Sequence, residues 1–185
     1  SSAASTVTVD LTAGTALGGD GSDTLYGGNG DDVLDGGEGN DKLYGQSGSD
    51  TYLFGRGSGQ DTVIDGDNTA GNTDAIVLGS DIQPSDIGLQ RSGDDLIVSI
   101  NGTQDSLTVK NWFFNDSNEY QIERIRFADG TVWDAETIKQ AVIQITEADD
   151  NIIGYSTSDT ISGLAGDDRI YGKAGDDNLS GGEGN

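Results

Sequence analysis

Aspartate recurs every nine residues in two separate stretches of the chain. In the first stretch, four units follow one another from Gly18: GGDGSDTLY, GGNGDDVLD, GGEGNDKLY and GQSGSDTYL. In the second, ITEADDNII is a degenerate first unit, followed by GYSTSDTIS, GLAGDDRIY and GKAGDDNLS. A fixed period predicts a solenoid of repeated structural units. The carboxylates that recur at the sixth position are Asp23, Asp32, Asp41, Asp50, Asp150, Asp159, Asp168 and Asp177.

The spacing predicts that these carboxylates form rows. If two units make one coil, Asp23 lies near Asp41 in the next coil, and Asp150 lies near Asp168. Stacked carboxylates repel one another unless cations lie between them. Hard cations, above all Ca²⁺, prefer carboxylate and backbone carbonyl oxygens as ligands. The repeat therefore indicates a metal-binding solenoid rather than a catalytic site.

Each unit reads as a six-residue glycine-rich turn followed by a three-residue strand. Glycine tolerates the positive φ of tight turns, and the middle residue of the strand points inward. That residue is apolar in every unit, as Leu25, Leu34 and Leu43 illustrate. A slipped unit, RGSGQDTVI at 56–64, places Asp61 and Val63 at the same relative positions.

Composition excludes several function classes. The 185 residues include 33 acidic and 9 basic ones, for a formal charge of −24, which argues against nucleic acid and anionic membrane surfaces as partners. No apolar run approaches the length of a membrane span. Histidine and cysteine are absent, so a Ser-His-Asp triad, a zinc site with these ligands and disulfides are excluded. Paired acids such as Asp31 and Asp32 are better explained as a ligand and its solvated neighbour than as a glycosidase pair. The chain is therefore not expected to be an enzyme.

Residues 66–144 break the period and change in composition. Apolar alternation predicts strands at 74–78, 86–90, 95–100 and 106–110, and 123–133 reads as a hairpin with Asp129 and Gly130 at its turn. Residues 134–142 predict a short helix with Asp134 at its N-cap. The predicted fold is all-β: two parallel β-roll arrays separated by a mostly β insert with one short helix.

The units resemble the nonapeptide GGxGxDxUx of the RTX (repeats-in-toxin) family, where U is apolar. The resemblance implies a parallel β-roll in which each calcium ion lies between adjacent turns, bound by sixth-position aspartates and by turn carbonyls. It nominates the eight aspartates above, together with Asp61. It also nominates turn carbonyls at Gly19, Gly21, Gly28, Gly30, Gly37, Gly39, Gly48, Gly166 and Gly175. The second array departs from the pattern, because Tyr155, Leu164 and Lys173 replace the second glycine and Thr157 replaces the fourth.

The intervening segment resembles the haemolysin-type calcium-binding-related segment that lies between RTX repeat blocks. Four regions are predicted: an N-terminal strand or cap (1–17), a first array (18–65), an intervening β-rich segment (66–144) that caps or connects the rolls, and a truncated second array (145–185). The last residues, GGEGN, stop where another aspartate would come, so a fragment of a longer protein is expected.

The resemblance implies a calcium-binding module of an extracellular bacterial protein that leaves the cell by type I secretion and folds on calcium binding. The expected partners are calcium ions, the rest of a longer RTX polypeptide and the type I secretion machinery. Two alternatives stay open. One is an adhesin module at the cell surface, whose insert binds a glycan, a host surface or a protein. The other is an accessory C-terminal module of a secreted hydrolase or pore-forming toxin.

Two segments allow further alternatives. DGDNTAGNTD (65–74) has aspartates at 65 and 67 like an EF-hand loop, but glycine falls at 71 rather than 70 and Ile76 occupies position twelve. It is interpreted as a polar surface loop or as an isolated extra calcium site. NWFF (111–114) and Trp133 are interpreted as core packing or as an aromatic ligand platform.

Overall fold

A computed structural model describes residues 7–11, 14–67, 69–114, 120–143 and 145–184, with only the backbone given for 7–11. The remainder of the predicted N-terminal cap, residues 1–6 and 12–13, lies outside the described residues, as does the final residue of GGEGN. The chain forms two compact units, residues 1–138 and 139–185. No helix in the described ranges is both long and apolar enough to cross a membrane.

The first unit begins with parallel strands that alternate between two sheets, as a β-roll requires. These strands are β1 (Val7–Leu11), β2 (Thr15–Asp20), β3 (Thr24–Asn29), β4 (Val33–Glu38), β5 (Lys42–Ser47), β6 (Thr51–Phe54) and β7 (Gln60–Val63). Odd-numbered strands pair with one another, and so do even-numbered strands. The register joins Leu25 to Leu43 and Leu34 to Tyr52, which are the core residues of successive coils.

The roll strands β2 to β5 are longer than the three residues predicted. Each has six residues, because the pairing continues through the first glycines of the following unit. Gly19 pairs with Gly37 and Asp20 with Glu38 in one sheet, and Gly28 pairs with Gln46 in the other. Sequence patterning missed this extension because β-propensity disfavours glycine, whereas the stacked coils satisfy its backbone groups regardless.

The insert continues both sheets of the first roll. Strand β8 (Ala75–Leu78) pairs in parallel with β6, and β11 (Ser106–Val109) pairs in parallel with β7. Antiparallel strands β10 (Asp95–Ile100) and β9 (Ile87–Ser92) follow β11, whereas β12 (Arg124–Arg126) and β13 (Val132–Asp134) follow β8. A short 3₁₀ helix, Pro84–Asp86, precedes β9. The strands predicted within the insert are present, and they extend the roll.

The helix α1 (Ala135–Val142) begins at the predicted cap, where the backbone N–H of Thr137 donates to Oδ1 of Asp134 at 2.8 Å. Three of the six aromatic residues of the insert are buried, whereas Phe114 is 41% exposed. Trp112 and Phe113 are buried, and Nε1 of Trp112 donates to the carbonyl of Ile122. The ligand-platform interpretation is therefore wrong for these two rings, because neither is accessible.

The second unit has shorter strands. These are β14 (Asn151–Ile153), β15 (Thr160–Ser162), β16 (Arg169–Tyr171) and β17 (Asn178–Ser180). Strand β14 pairs with β16 and β15 with β17, both in parallel and with an offset of 18 residues. Ile152 and Ile161 are buried, but Leu179 is 43% exposed. The described second array is thus two coils with a thin core.

Candidate calcium sites

The sixth-position aspartates stack in rows along each roll. The backbone N–H of one aspartate donates to Oδ1 of the aspartate in the next coil, at 2.7 to 3.0 Å. The pairs joined in this way are Asp23 to Asp41, Asp32 to Asp50, Asp41 to Asp61, Asp150 to Asp168 and Asp159 to Asp177. All nine predicted carboxylates therefore lie in rows, including Asp61 of the slipped unit.

The other carboxylate oxygen in these rows is what a cation would bind. Oδ2 of Asp41, Asp50 and Asp168 and Oδ1 of Asp159 are buried and accept no hydrogen bond from the described residues. A buried anionic oxygen that has no partner costs free energy. Ca²⁺ binds such oxygens, so the residues present fit the ion that the repeat implies.

First-position glycines leave room for the carboxylates. A Cβ on Gly18 would lie 2.8 Å from Oδ2 of Asp23, and one on Gly27 would lie 2.8 Å from Oδ2 of Asp32. The same collision with the sixth-position carboxylate of the unit recurs at Gly36, Gly45, Gly154, Gly163 and Gly172. The first position must therefore be glycine because any side chain there would collide with the carboxylate, and the geometry of the turn alone does not impose this requirement.

Five of the nominated turn carbonyls lie against a glycine of the next coil, namely those of Gly19, Gly21, Gly30, Gly39 and Gly166. A Cβ on Gly37 would strike the carbonyl of Gly19, and one on Gly39 would strike that of Gly21. All nine nominated glycines have positive φ: Gly19, Gly21, Gly28, Gly30, Gly37, Gly39, Gly48, Gly166 and Gly175. Their carbonyls as calcium ligands stay a prediction, consistent with this position between the coils.

Several second-position residues keep the turn without glycine. Gln46, Leu164 and Lys173 have φ of 76°, 67° and 70°, which is the left-handed region. Tyr155 and Thr157, by contrast, do not have positive φ. The turn of residues 154–159 therefore has a different backbone from the others. Tyr155 is buried, and its hydroxyl donates to the carbonyl of Lys139.

Fifth-position residues, interpreted from sequence as merely solvated, form a second and outer row. Oδ1 of Asp31 accepts the N–H of Ser49, and Oδ1 of Asn40 accepts that of Gln60. In the second array, Oδ1 of Asp149 accepts the N–H of Asp167. These side chains are solvated and also fix the spacing between coils.

Burial opposes ionisation of three aspartates in the rows of the first roll. It raises the pKa of Asp50 to about 7, although the hydrogen bond from the Asp32 N–H opposes the shift. Burial likewise raises the pKa of Asp61 to about 7. It also raises the pKa of Asp41 above its usual value. Neighbouring carboxylates add to each shift. A cation bound beside these carboxylates would favour their ionised forms.

The rows also continue into the insert through acids that the nine-residue period does not identify. The N–H of Asp50 donates to Oδ1 of Asp74 at 2.7 Å, and that of Asp74 donates to Oε2 of Glu123 at 2.6 Å. The carboxylate of Asp105 accepts the N–H groups of Gly57 and Gly59. Carboxylates of the insert therefore accept hydrogen bonds from the backbone N–H groups at the end of the roll, as aspartates do between the coils of the roll.

The sequence is similar to two protein families and to a known bacterial protein. The family described as RTX calcium-binding nonapeptide repeat (4 copies) matches residues 17–52 and 153–185. The haemolysin-type calcium binding protein related domain matches residues 95–137, and the two families together cover more than half of the chain. The iron-regulated protein FrpA of Neisseria meningitidis serogroup C is 38% identical over 108 residues, which are 58% of this chain and 10% of that protein. The aligned part thus spans about a tenth of this curated relative.

Repeat spacing, stacked carboxylates and the repeat-family match coincide on seven residues: Asp23, Asp32, Asp41, Asp50, Asp159, Asp168 and Asp177. Residues 17–52 and 153–185 are therefore calcium-binding nonapeptide repeats of the RTX type.

Proposed function

We propose that this chain is a calcium-triggered folding module of a secreted bacterial protein. The observation that carries the proposal is the rows of aspartates, in which one buried oxygen of each of Asp41, Asp50, Asp159 and Asp168 accepts no hydrogen bond from the part of the chain that the structure describes. Such rows are unfavourable as anions and favourable once divalent cations lie between the coils. Folding and ion binding are then one process, because the unfolded chain has no preformed site.

The net charge of the chain explains why it would unfold without calcium and fold with it. At −24, the chain repels itself where calcium is scarce, as it is in the cytosol, and so stays extended. In millimolar calcium outside the cell, each ion removes two charges and stabilises only the folded state. One site at a free calcium concentration 100 times its Kd contributes about 2.7 kcal/mol. Several such sites therefore convert an unfolded chain into a folded one.

The module would act in a longer polypeptide that is exported by the type I secretion machinery. The limited share of FrpA that the alignment covers supports a longer parent protein. The sixth-position aspartates would bind calcium, with the turn carbonyls between coils as further ligands. The module itself would be non-enzymatic and extracellular, and any catalytic or pore-forming activity would belong to the rest of the polypeptide.

The buried aromatic residues of the insert lend no support to the adhesin hypothesis. Trp112 and Phe113 are buried, and Phe127 and Trp133 pack edge to face with ring centroids 4.8 Å apart. These rings stabilise the insert. We therefore favour the folding-module proposal over a glycan-binding role for the insert.

A calcium titration monitored by far-UV circular dichroism tests the proposal. We expect a weak β signal in chelator and a cooperative gain of β signal as calcium reaches the millimolar range. Sodium chloride at matched ionic strength is the control, because it screens charge without occupying sites. An equal β signal in chelator and in calcium, or equal folding by sodium chloride, would contradict calcium-triggered folding.

A further inference from the structure

Three buried carboxylates meet where the first array passes into the insert. Asp50 belongs to the fourth repeat, Asp65 follows β7 and Asp74 precedes β8. One carboxylate oxygen of each residue lies within 4.8 Å of those of the other two. The three residues are 1%, 1% and 3% exposed. Asp65 and Asp74 lie outside the nonapeptide units, so the repeat pattern does not account for this cluster.

An unpartnered oxygen of Asp50 points into this region. Its Oδ1 accepts the N–H of Asp32, whereas its Oδ2 is buried and accepts no hydrogen bond from the described residues. A Cβ on Gly45 would collide with both this Oδ2 and the hydroxyl of Tyr52, so the two oxygens face the same small space. The Tyr52 hydroxyl in turn donates to Oδ2 of Asp65 at 2.7 Å. The hydroxyl thereby fixes the position of the second carboxylate beside the first.

No basic side chain neutralises the cluster among the described residues. The salt bridges of the described residues join Arg56 to Asp81 and Asp86, Arg91 to Asp94, and Lys110 to Asp95, so none involves the cluster. Three carboxylates within so small a buried volume cannot all be ionised without a counter-charge.

We propose that Asp50, Asp65 and Asp74 bind one divalent cation, with calcium as the ion favoured by the all-oxygen ligand set. Oxygens on opposite sides of a calcium ion lie about 5 Å apart, so three oxygens within 4.8 Å of one another are close enough to bind a single ion. This junction site differs from the repeat-to-repeat sites, because two of its ligands come from the loop between β7 and β8. The ion ties that loop and the start of β8 to the last coil of the roll.

The junction site is not an EF-hand, although it shares Asp65 with the sequence that suggested one. Asp67 serves a different purpose, since its carboxylate accepts the N–H groups of Gly48 and Thr69 and the side-chain amide of Asn72. These hydrogen bonds outweigh the opposing effect of burial and hold the pKa of Asp67 at about 2. Asp67 therefore caps a turn of the roll and leaves Asp65 to the cluster.

Calcium binding by isothermal titration calorimetry tests the junction site in the full chain. We expect Asp65→Asn to bind one calcium fewer than the wild type while reaching the same β signal in saturating calcium. Asp94→Asn is the matched control, because it removes one exposed insert carboxylate outside the cluster. Equal stoichiometry and affinity in Asp65→Asn and Asp94→Asn would overturn the proposal. This proposal rests on the proposed function. If calcium-triggered folding itself were wrong, the wild type would show the same β signal in calcium as in chelator, which is a different result from equal binding by the two variants.

A second measurement uses only the wild type and does not depend on how a variant folds. Crystals grown in calcium and soaked in Tb³⁺ are expected to give an anomalous peak between Asp50, Asp65 and Asp74, in addition to peaks along the aspartate rows. Peaks along the rows with none at the cluster would overturn the junction site and leave the repeat sites intact.

Discussion

The two arrays share one motif but differ in how completely they bury it. Leu25, Leu34 and Leu43 of the first array are fully buried, whereas Leu179 of the second is 43% exposed. Asp41 is 1% exposed, but Asp168 and Asp177 are only partly buried. Related nonapeptides therefore form a closed core in the first array and a thin one in the second.

Besides the replaced glycines of the second array, the two arrays differ in what covers their coils. In the first unit, β8 and β11 of the insert extend the two sheets, and acids of the insert satisfy the N–H groups at the end of the roll. In the second unit, each described sheet has two strands. A repeat unit contacts only its neighbours, so terminal coils depend on a cap. The insert is therefore part of the first roll.

The largest expected effect is a pH dependence of the calcium-free first array. Asp50 and Asp61 have pKa values raised to about 7, and Asp74 has one raised to about 8, chiefly by burial and further by neighbouring carboxylates. A raised pKa in the folded state means stability that is present at low pH and is lost as pH rises. In chelator, we expect the free energy of unfolding to fall between about pH 4 and pH 8. The slope is about 1.4 kcal/mol per pH unit for each carboxylate that titrates.

Hydrogen exchange measured by mass spectrometry in chelator checks this dependence, with protection of residues 23–78 expected to increase as the pH falls. The exchange rates are corrected for the intrinsic effect of pH. Asp50→Asn is the control, because an amide does not titrate and the slope should be shallower. In saturating calcium the sign should reverse, since calcium requires the ionised carboxylates. Protection that rises with pH in chelator would contradict the prediction.

A smaller effect is expected from a matched pair of core truncations. Leu34→Ala removes a fully buried side chain and leaves a cavity, which costs about 2–5 kcal/mol of unfolding free energy. Leu179→Ala removes a side chain that is 43% exposed and should cost less than about 1 kcal/mol. Native-state hydrogen exchange in calcium follows each unit separately. Equal losses in both variants would mean that the second array is as well buried as the first.

The sequence was sufficient for features that the nine-residue period encodes locally. Glycine, aspartate and leucine recur at fixed offsets, so the rows of Asp23 with Asp41 and of Asp150 with Asp168 follow from two units per coil. The hairpin of 123–133 and the cap at Asp134 were also local signals.

Other features depend on contacts between distant segments and carry no local signal. Asp74 accepts the N–H of Asp50 across 24 residues, and Glu123 accepts that of Asp74 across 49 residues. No period links these acids to the repeat. A tyrosine at the core position of the fourth unit was the one hint of the junction, because a buried phenol requires a hydrogen-bond partner. Tyr52 finds that partner in Asp65, which lies in the loop that follows the roll.

The smallest expected effect concerns two left-handed residues, one in each array. Leu164 has φ of 67° and Gln46 has φ of 76°, and both side chains are exposed. The left-handed region costs an L-residue about 1–2 kcal/mol, whereas glycine adopts it freely but loses more entropy on folding. Leu164→Gly and Gln46→Gly should therefore each stabilise their own array by about 0.5–1 kcal/mol, as measured by urea denaturation in calcium. Loss of stability in Leu164→Gly alone would show instead that its side chain stabilises the thinner array through contacts that outweigh the backbone strain.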